Sequence, residues 1–190
     1  MKILVLDNYD SFTYNLVHIL RELGYGPRME VFRNDKITLD QVAAYDKILL
    51  SPGPGIPEEA GIMLDLIARY GPSKSILGIC LGHQGIAEVY GAKLYNMKQV
   101  LHGIASGIVL LDRQEVVFRG IPKEIEVGRY HSWAVIPESV NGDLKITARD
   151  HDQEVMAIRH NKFDVVGLQF HPESVLTAHG KQMLQNWIES

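Results

Sequence analysis

Cysteine is almost absent from this chain, since Cys80 is the only one among 190 residues. A single cysteine excludes a disulfide within the chain and any zinc site built from several cysteines, and it is typical of a protein of the reducing cytoplasm. Positive charge is not in excess either, because 19 lysines and arginines stand against 23 aspartates and glutamates. The net charge of −4 therefore gives no indication of a nucleic-acid partner or of an anionic membrane surface.

Long hydrophobic runs are also missing. The apolar run at residues 3–6 stops at Asp7 and is far too short for a signal sequence or a membrane span. Internal repeats, low-complexity tracts and linkers are absent as well. We therefore expect one domain over residues 1–190, located in the cytoplasm and without a membrane partner.

The first half of the chain alternates short apolar runs with stretches of helical periodicity. The continuous apolar runs predict strands buried on both faces, at residues 3–6, 31–32, 47–50 and 75–79. Helical spacing predicts helices around residues 16–23, 58–70 and 83–90. This alternation predicts an α/β fold with an open, mostly parallel twisted sheet and helices on both faces.

After Gly91 the pattern changes to short runs separated by turn signals. They predict a smaller set of partly antiparallel strands at residues 108–111, 115–118, 134–136, 145–148, 155–159 and 165–170. A final amphipathic helix is predicted over residues 177–188, with Thr177 as its N-cap.

The single cysteine lies in a distinctive frame. Gly78, Cys80 and Gly82 form a Gly-x-Cys-x-Gly pattern between a predicted strand and a predicted helix. This pattern is typical of a nucleophile elbow, in which a tight turn strains the nucleophile's backbone and leaves room only for glycine two residues away on either side. The helix N-terminus would then favour a thiolate and could bind an oxyanion. The alternative is a buried cysteine that acts as a small hydrophobe.

A cysteine nucleophile needs a base, and the base needs a partner that orients it. His171 follows a predicted strand, and Glu173 lies two residues later, on the same side of an extended segment. Glu173 could therefore fix the His171 ring, although the same residues would also suit a solvated turn. His83, three residues after Cys80, is a rival base, but a structural role is the better interpretation.

A second candidate loop spans residues 52–55, Pro-Gly-Pro-Gly, after the predicted strand at 47–50. Its glycines could bring backbone N–H groups close to a developing negative charge. Taken alone, the loop is better explained as an ordinary turn between a strand and a helix.

Four stretches together carry a family resemblance. They are residues 78–84 (GICLGHQ), 171–174 (HPES), 7–15 (DNYDSFTYN) and 51–55 (SPGPG) with Pro57. The first two resemble class I (triad-type) glutamine amidotransferases, and all four resemble the small subunit, component II, of anthranilate synthase or aminodeoxychorismate (para-aminobenzoate) synthase. The likeness runs from Met1 to the last helix, and the fold it implies is flavodoxin-like.

The resemblance implies a role for each matching residue. Cys80 would attack the side-chain amide of L-glutamine, His171 would protonate the leaving ammonia and then activate water, and Glu173 would orient His171. The backbone N–H groups of Gly53 and Leu81 would form the oxyanion hole. The implied glutamine-binding residues are Gly53, Pro54, Gly55, Gln84, Ser132 and Trp133. The family often carries an aliphatic residue at the position of Trp133.

The resemblance also implies a partner. Ammonia would pass to a large chorismate-binding synthase subunit in a hetero-oligomer, and the product would be anthranilate or 4-amino-4-deoxychorismate. This chain would need neither metal nor cofactor, whereas Mg²⁺ would be held by the partner subunit. Tyr9, Phe12 and Tyr14 are aromatic residues that we expect to be exposed and to contact the large subunit.

Two other interpretations remain at this stage. A Cys–His–Glu triad would also serve a different hydrolase of the same architecture, such as a γ-glutamyl hydrolase or a peptidase. The second is a non-enzymatic flavodoxin-like binding module whose cysteine is incidental. Free glutamine hydrolysis separates the first from an amidotransferase, and an unaltered Cys80→Ser variant would favour the second.

Overall fold

The secondary structure follows the alternation of the sequence, in a computed structural model that describes residues 1–98 and 100–190. The strands are β1 (Ile3–Asp7), β2 (Met29–Arg33), β3 (Lys47–Leu50), β4 (Ser75–Ile79), β5 (Leu94–Asn96), β6 (Ile104–Leu110), β7 (Glu124–Arg129), β8 (Trp133–Val135), β9 (Leu144–Asp150), β10 (Val155–His160) and β11 (Val165–Leu168). The α-helices are α1 (Thr13–Glu22), α2 (Leu39–Val42), α3 (Met63–Tyr70), α4 (Leu81–Val89) and α5 (Gly180–Ile188).

Nine strands form one sheet in the order β2-β1-β3-β4-β11-β10-β9-β6-β7. The pairs from β2 to β11 are parallel, and the pairs from β11 to β7 are antiparallel. Strands β5 and β8 form a separate antiparallel pair. The predicted α/β fold is confirmed, and most of the predicted antiparallel strands continue the main sheet beyond its parallel part.

Helices cover both faces of the parallel strands. On one face α1 and α5 pack into a core that includes Leu16, Leu184 and Trp187, and on the other α3 and α4 pack around Leu66 and Ile86. Every residue of β1, β3 and β11 is buried, and apart from the charged ends Asp7 and Lys47 these strands are apolar throughout.

Three local predictions are wrong. Residues 115–118 do not form a strand, because Val116–Phe118 is a 3₁₀ helix whose buried side chains pack beneath α5. The helix predicted over 58–70 is divided into a 3₁₀ turn, Pro57–Glu59, and α3. Gly61 separates them at φ 55°, a left-handed conformation that a continuous helix cannot contain.

The third wrong prediction is the start of the last helix. Helix α5 begins at Gly180, and Thr177 does not cap it. The Thr177 hydroxyl instead donates to the His171 carbonyl oxygen at 2.7 Å and accepts from the Gly128 N–H at 2.9 Å. Thr177 therefore fixes the backbone beside a candidate catalytic residue.

Within the described ranges, no helix has the length and apolar character needed to cross a membrane.

Candidate active site

Cys80 connects β4 to α4 in a strained turn. Its backbone has φ 52° and ψ −100°, and its N–H donates to the Leu168 carbonyl oxygen at 2.8 Å. A Cβ on Gly78 would lie 2.5 Å from the carbonyl carbon of Gly82, and one on Gly82 would lie 2.7 Å from the Leu50 Cβ. The glycines that the sequence frame singled out are thus required by the turn, and the elbow geometry is present.

His171 and Glu173 form a buried pair just beyond β11. The His171 Nδ1 lies 2.6 Å from the Glu173 Oε1, and both side chains are almost completely buried. The His171 backbone N–H donates to the Gly128 carbonyl oxygen of β7 at 3.0 Å. Because the backbone of His171 is held by β7 and by Thr177, the carboxylate can fix the ring without help from flexible side chains.

The environment of His171 favours its imidazolium form. Burial alone lowers the pKa of His171, but the adjoining Cys80 sulfur and the Glu173 carboxylate outweigh it and raise that pKa to about 10. The Nε2 atom makes no well-formed hydrogen bond to the described residues. The Cys80 sulfur nevertheless adjoins the ring and, with Glu173, favours its charged form.

Two aromatic rings cover His171. The rings of Phe12 and Tyr130 lie 5.3 and 4.9 Å from the imidazole, measured between centroids. Phe12 is half-buried among these rings, which meet edge to face. The expectation that it is an exposed aromatic residue is therefore wrong. Tyr9 and Tyr14 are exposed, by 47% and 71%.

His83 lies on α4 in the layer behind the elbow. Its side chain is fully buried, and burial lowers the pKa of His83 to about 3. A Cβ on Gly167 of β11 would lie 2.8 Å from the His83 Nδ1, so the ring fills the space that this glycine leaves. These contacts favour the structural role over that of a base.

The loop at residues 52–55 packs directly against the elbow. A Cβ on Gly53 would lie 2.6 Å from the Asn8 Cβ and 2.7 Å from the Leu81 Cδ2. Asn8 is buried and hydrogen-bonded to the start of the loop. Its backbone N–H donates to the Ser51 Oγ, and its side-chain amide donates to the Ser51 carbonyl oxygen, each at 2.8 Å. Gly53 and Leu81, the two predicted oxyanion donors, are therefore neighbours.

A cavity of about 590 Å³ opens above Cys80. It is lined by Gly53, Pro54, Gly55, Gln84, Ser132 and Trp133, together with Cys80. The structure thus brings all the residues proposed to bind glutamine to one cavity, while His171 and Glu173 lie behind its wall. Leu81 lines an adjacent cavity of about 500 Å³ on the other side of the loop.

Sequence reasoning missed several polar residues around this cavity. They are Asn8, Arg129, Asp150 and Gln169, all of which are buried. Each lies in or just after a strand, but only Gln169 stands between apolar residues, Leu168 and Phe170, so a polar residue within an apolar run could have identified this one alone. Within residues 1–98 and 100–190, no group of three or more His, Cys, Asp or Glu side chains is arranged to hold a metal ion.

Comparison with known proteins decides the family. A family model described as glutamine amidotransferase class-I matches residues 4–190. The chain belongs to this family. The resemblance inferred from the motifs is confirmed. The protein is a glutamine amidotransferase, and therefore an enzyme.

Curated relatives of this amidotransferase come from both chorismate branches. It is 44% identical over 190 residues to "Aminodeoxychorismate/anthranilate synthase component 2" of Bacillus subtilis, covering 99% of this chain and 96% of the relative. It is 45% identical to "Aminodeoxychorismate synthase component 2" of Escherichia coli, covering 98% of each chain. It is 41% identical to "Anthranilate synthase component 2" of Mycobacterium tuberculosis, covering 99% and 82%.

A solved structure has the same architecture. A glutamine amidotransferase from Thermotoga maritima superposes with a TM-score of 0.76 at 17% identity, over 100% of this chain and 96% of that one. At this identity the match supports the fold alone.

Proposed function

We propose that the protein is the glutaminase subunit of a chorismate-using synthase that makes anthranilate or 4-amino-4-deoxychorismate. Cys80 at the elbow, beside the buried His171–Glu173 pair, is the observation that carries the proposal. The names of the relatives support the chorismate branch, because they are component 2 of both synthases. Neither name favours one product for this chain.

In the proposed first half-reaction, the Cys80 thiolate attacks the carboxamide carbon of L-glutamine. The C–S bond forms as the carbonyl oxygen becomes an oxyanion, which the backbone N–H groups of Gly53 and Leu81 stabilise. When the tetrahedral adduct collapses, the C–N bond breaks and His171 gives its proton to the leaving ammonia. The buried Glu173 carboxylate keeps the Nδ1–H of His171 directed away from the sulfur, so that the other ring nitrogen can act.

The second half-reaction returns the enzyme to its starting state. His171, now neutral, accepts a proton from water as the water attacks the glutamyl thioester, and the C–S bond breaks to release glutamate and the thiolate. Phe12 and Tyr130 cover the imidazole, which limits access of bulk water to the base. One glutamine therefore yields one glutamate and one ammonia.

In this proposal, glutamine is recognised by residues that line the cavity above Cys80. The Ser132 and Trp133 segment and the Gln84 side chain line it together with the loop at residues 52–55. Backbone groups of Ser132 would bind the α-amino and α-carboxylate ends of the substrate, as in the family resemblance. Because Ser132 and Gly53 line the same cavity as Cys80, a glutamine bound by them would have its carboxamide near the sulfur.

The exposed rim of the cavity is the proposed docking surface for the large subunit. Tyr9 lines the cavity, and its side chain is 47% exposed. Apolar side chains at the mouth of an active site are suited to bury against a partner that receives the product. We expect Tyr9→Ala to weaken the complex at least tenfold, measured by calorimetry with the large subunit. Leu111→Ala is the matched control, since Leu111 has similar exposure and follows β6 at the end away from the cavity.

The experiment that tests the proposal is product formation from chorismate and Mg²⁺ with the two candidate large subunits of the same organism. We expect glutamine-dependent product with at least one of them, and its loss with Cys80→Ser. The Cys80→Ser complex should still make product from ammonium, because the chorismate site is on the other subunit. Glutamine hydrolysis without product in either complex would instead indicate a different hydrolase of the same architecture.

A further inference from the structure

Three buried polar residues outside the proposed triad form a hydrogen-bonded series. The Arg129 Nη1 donates to the Asp150 Oδ2 at 2.6 Å, and the Arg129 Nε donates to the His131 Nε2 at 3.1 Å. All three side chains are at least nine-tenths buried. A guanidinium can only donate, so the His131 Nε2 must accept and carries no proton.

The tautomer of His131 follows from this. Its Nδ1 must carry the ring proton, and it lies 2.8 Å from the Trp133 carbonyl oxygen, to which it donates. Burial, and next the charge of Arg129, lower the pKa of His131 to about 4. The ring therefore stays neutral, and in this single tautomer, near pH 7.

The Trp133 carbonyl oxygen, which can only accept, connects His131 to two carboxamides. It also accepts from the Gln84 Nε2 at 3.0 Å, so the amide group of Gln84 is turned towards it. The same Nε2 lies 3.3 Å from the Gln169 Oε1. With its oxygen used as an acceptor, Gln169 directs its Nε2 to the Cys80 sulfur at 3.7 Å.

We propose that Asp150, Arg129 and His131 are positioning residues that hold the Trp133 carbonyl in place, and that Gln169, which this carbonyl orients through Gln84, is the catalytic residue at the end of the chain. Gln169 directs an N–H towards the sulfur. Water does not reach this donor, because the Gln169 side chain is fully buried. A donor aimed at the sulfur stabilises the thiolate over the thiol. The chain also holds the Trp133 carbonyl in the wall of the proposed glutamine site.

Other groups also face the sulfur. His171, with Glu173 behind it, adjoins it from the segment after β11, and the Tyr130 carbonyl oxygen lies 4.0 Å away. Asp10, Tyr9 and His102 line the same cavity. Of these groups, His171 is the charged one that adjoins the sulfur, and Gln169 is a neutral donor to it.

The first experiment reads the tautomer of His131 from its ¹⁵N NMR chemical shifts at pH 7. We expect protonated Nδ1 and unprotonated Nε2. Arg129→Met with Asp150→Asn removes the donor together with its counter-charge, so we expect loss of this single tautomer. Protonated Nε2 in the wild-type protein would overturn the proposal at its first step.

The second experiment measures alkylation of Cys80 by iodoacetamide at pH 7, which reports on one residue because the chain has one cysteine. We expect Gln169→Met to slow alkylation about tenfold, the effect of one hydrogen bond to a charged group. Loosened packing would have the opposite sign, since it would expose the thiol and speed its alkylation. Gln185→Met, on the outer side of α5, is the matched control and should leave the rate unchanged.

If Gln169→Met does not fold, Gln169→Asn keeps the amide but withdraws it from the sulfur by one methylene, and we expect the same slowing. Wild-type rates in a folded Gln169 variant would overturn the assignment of Gln169. The catalytic role of Gln169 rests on the proposed function, because it assumes that Cys80 hydrolyses glutamine. Alkylation needs no glutamine, so a failure of the glutaminase assignment would leave this test intact.

Discussion

Removing the charge of Glu173 tests the candidate triad at its best-defined contact. The Glu173 carboxylate lies 2.6 Å from the His171 Nδ1, with both groups buried. A hydrogen bond to a charged group contributes about 1.5–3 kcal/mol, and a neutral one about 0.5–1.5 kcal/mol. In Glu173→Gln the amide oxygen can still accept the Nδ1–H, so the loss is the difference, about 1.4 kcal/mol or tenfold.

The sign of the effect follows from the His171 pKa. Glu173 is one of the groups that raise this pKa above 6.5, to about 10, so the variant lowers it. The proton on the ring is then held less tightly and returns more readily to the Cys80 sulfur, which leaves less of the thiolate. We expect glutamine hydrolysis and alkylation of Cys80 at pH 7 to fall together, each about tenfold.

The assay compares wild-type, Glu173→Gln and the surface control Glu189→Gln between pH 6 and 10. The alkylation ratio between wild-type and variant should approach one as the pH nears 10, because an ordinary thiol, with a pKa of about 8.5, is ionised there without help from an imidazolium. Equal alkylation rates at pH 7, or a ratio that stays constant up to pH 10, would refute the electrostatic role of Glu173.

Three further predictions concern the glycines and the buried histidine. Gly53→Ala should lower glutamine hydrolysis at least ~100-fold but leave alkylation unchanged, because its Cβ would meet Asn8 at 2.6 Å and displace an oxyanion donor. Gly78→Ala should lower the free energy of unfolding in urea by about 1–3 kcal/mol through overpacking against Gly82. His83 has a pKa of about 3 when folded and 6.5 when unfolded, so its contribution to stability is present above pH 6.5 and is lost as the pH falls towards 3. Between pH 6.5 and 3, the free energy of unfolding of His83→Met should therefore fall less steeply than that of the wild-type protein, by about 1.4 kcal/mol per pH unit.

Each of these has an outcome that contradicts it. Slower alkylation in Gly53→Ala would mean that the loop affects the thiol itself rather than the oxyanion. Wild-type stability in Gly78→Ala would mean that the turn can relax around a side chain. An unchanged pH dependence of unfolding in His83→Met would mean that this histidine titrates alike in the folded and unfolded chain.

The elbow and the His171–Glu173 pair could be predicted because their signals are local. The Gly-x-Cys-x-Gly spacing describes one turn, and His171 and Glu173 are two residues apart in an extended segment. The parallel strands could be predicted for the same reason, since a strand buried on both faces is an unbroken apolar run. Residues 116–118, in the segment predicted as a strand, have the same apolar character, yet they form a 3₁₀ helix that packs against α5.

The chain from Asp150 to Gln169 could not be predicted, because it depends on distant pairings. Arg129 is on β7 and Asp150 on β9, and β6 lies between these strands in the sheet. No periodicity within either segment indicates that their side chains meet. Phe12 was misjudged for a similar reason, since the rings that half-bury it belong to Tyr130 and His171, far along the chain.

The most direct test of the account is glutamate release from L-glutamine by this chain in complex with its large subunit, compared between wild-type and Cys80→Ser. We expect equal amounts of glutamate and ammonia from the wild-type complex, and no glutamate above background from the Cys80→Ser complex. Gel filtration verifies that the variant complex is assembled. Glutamine hydrolysis by an assembled Cys80→Ser complex would contradict the central claim that the Cys80 sulfur is the nucleophile.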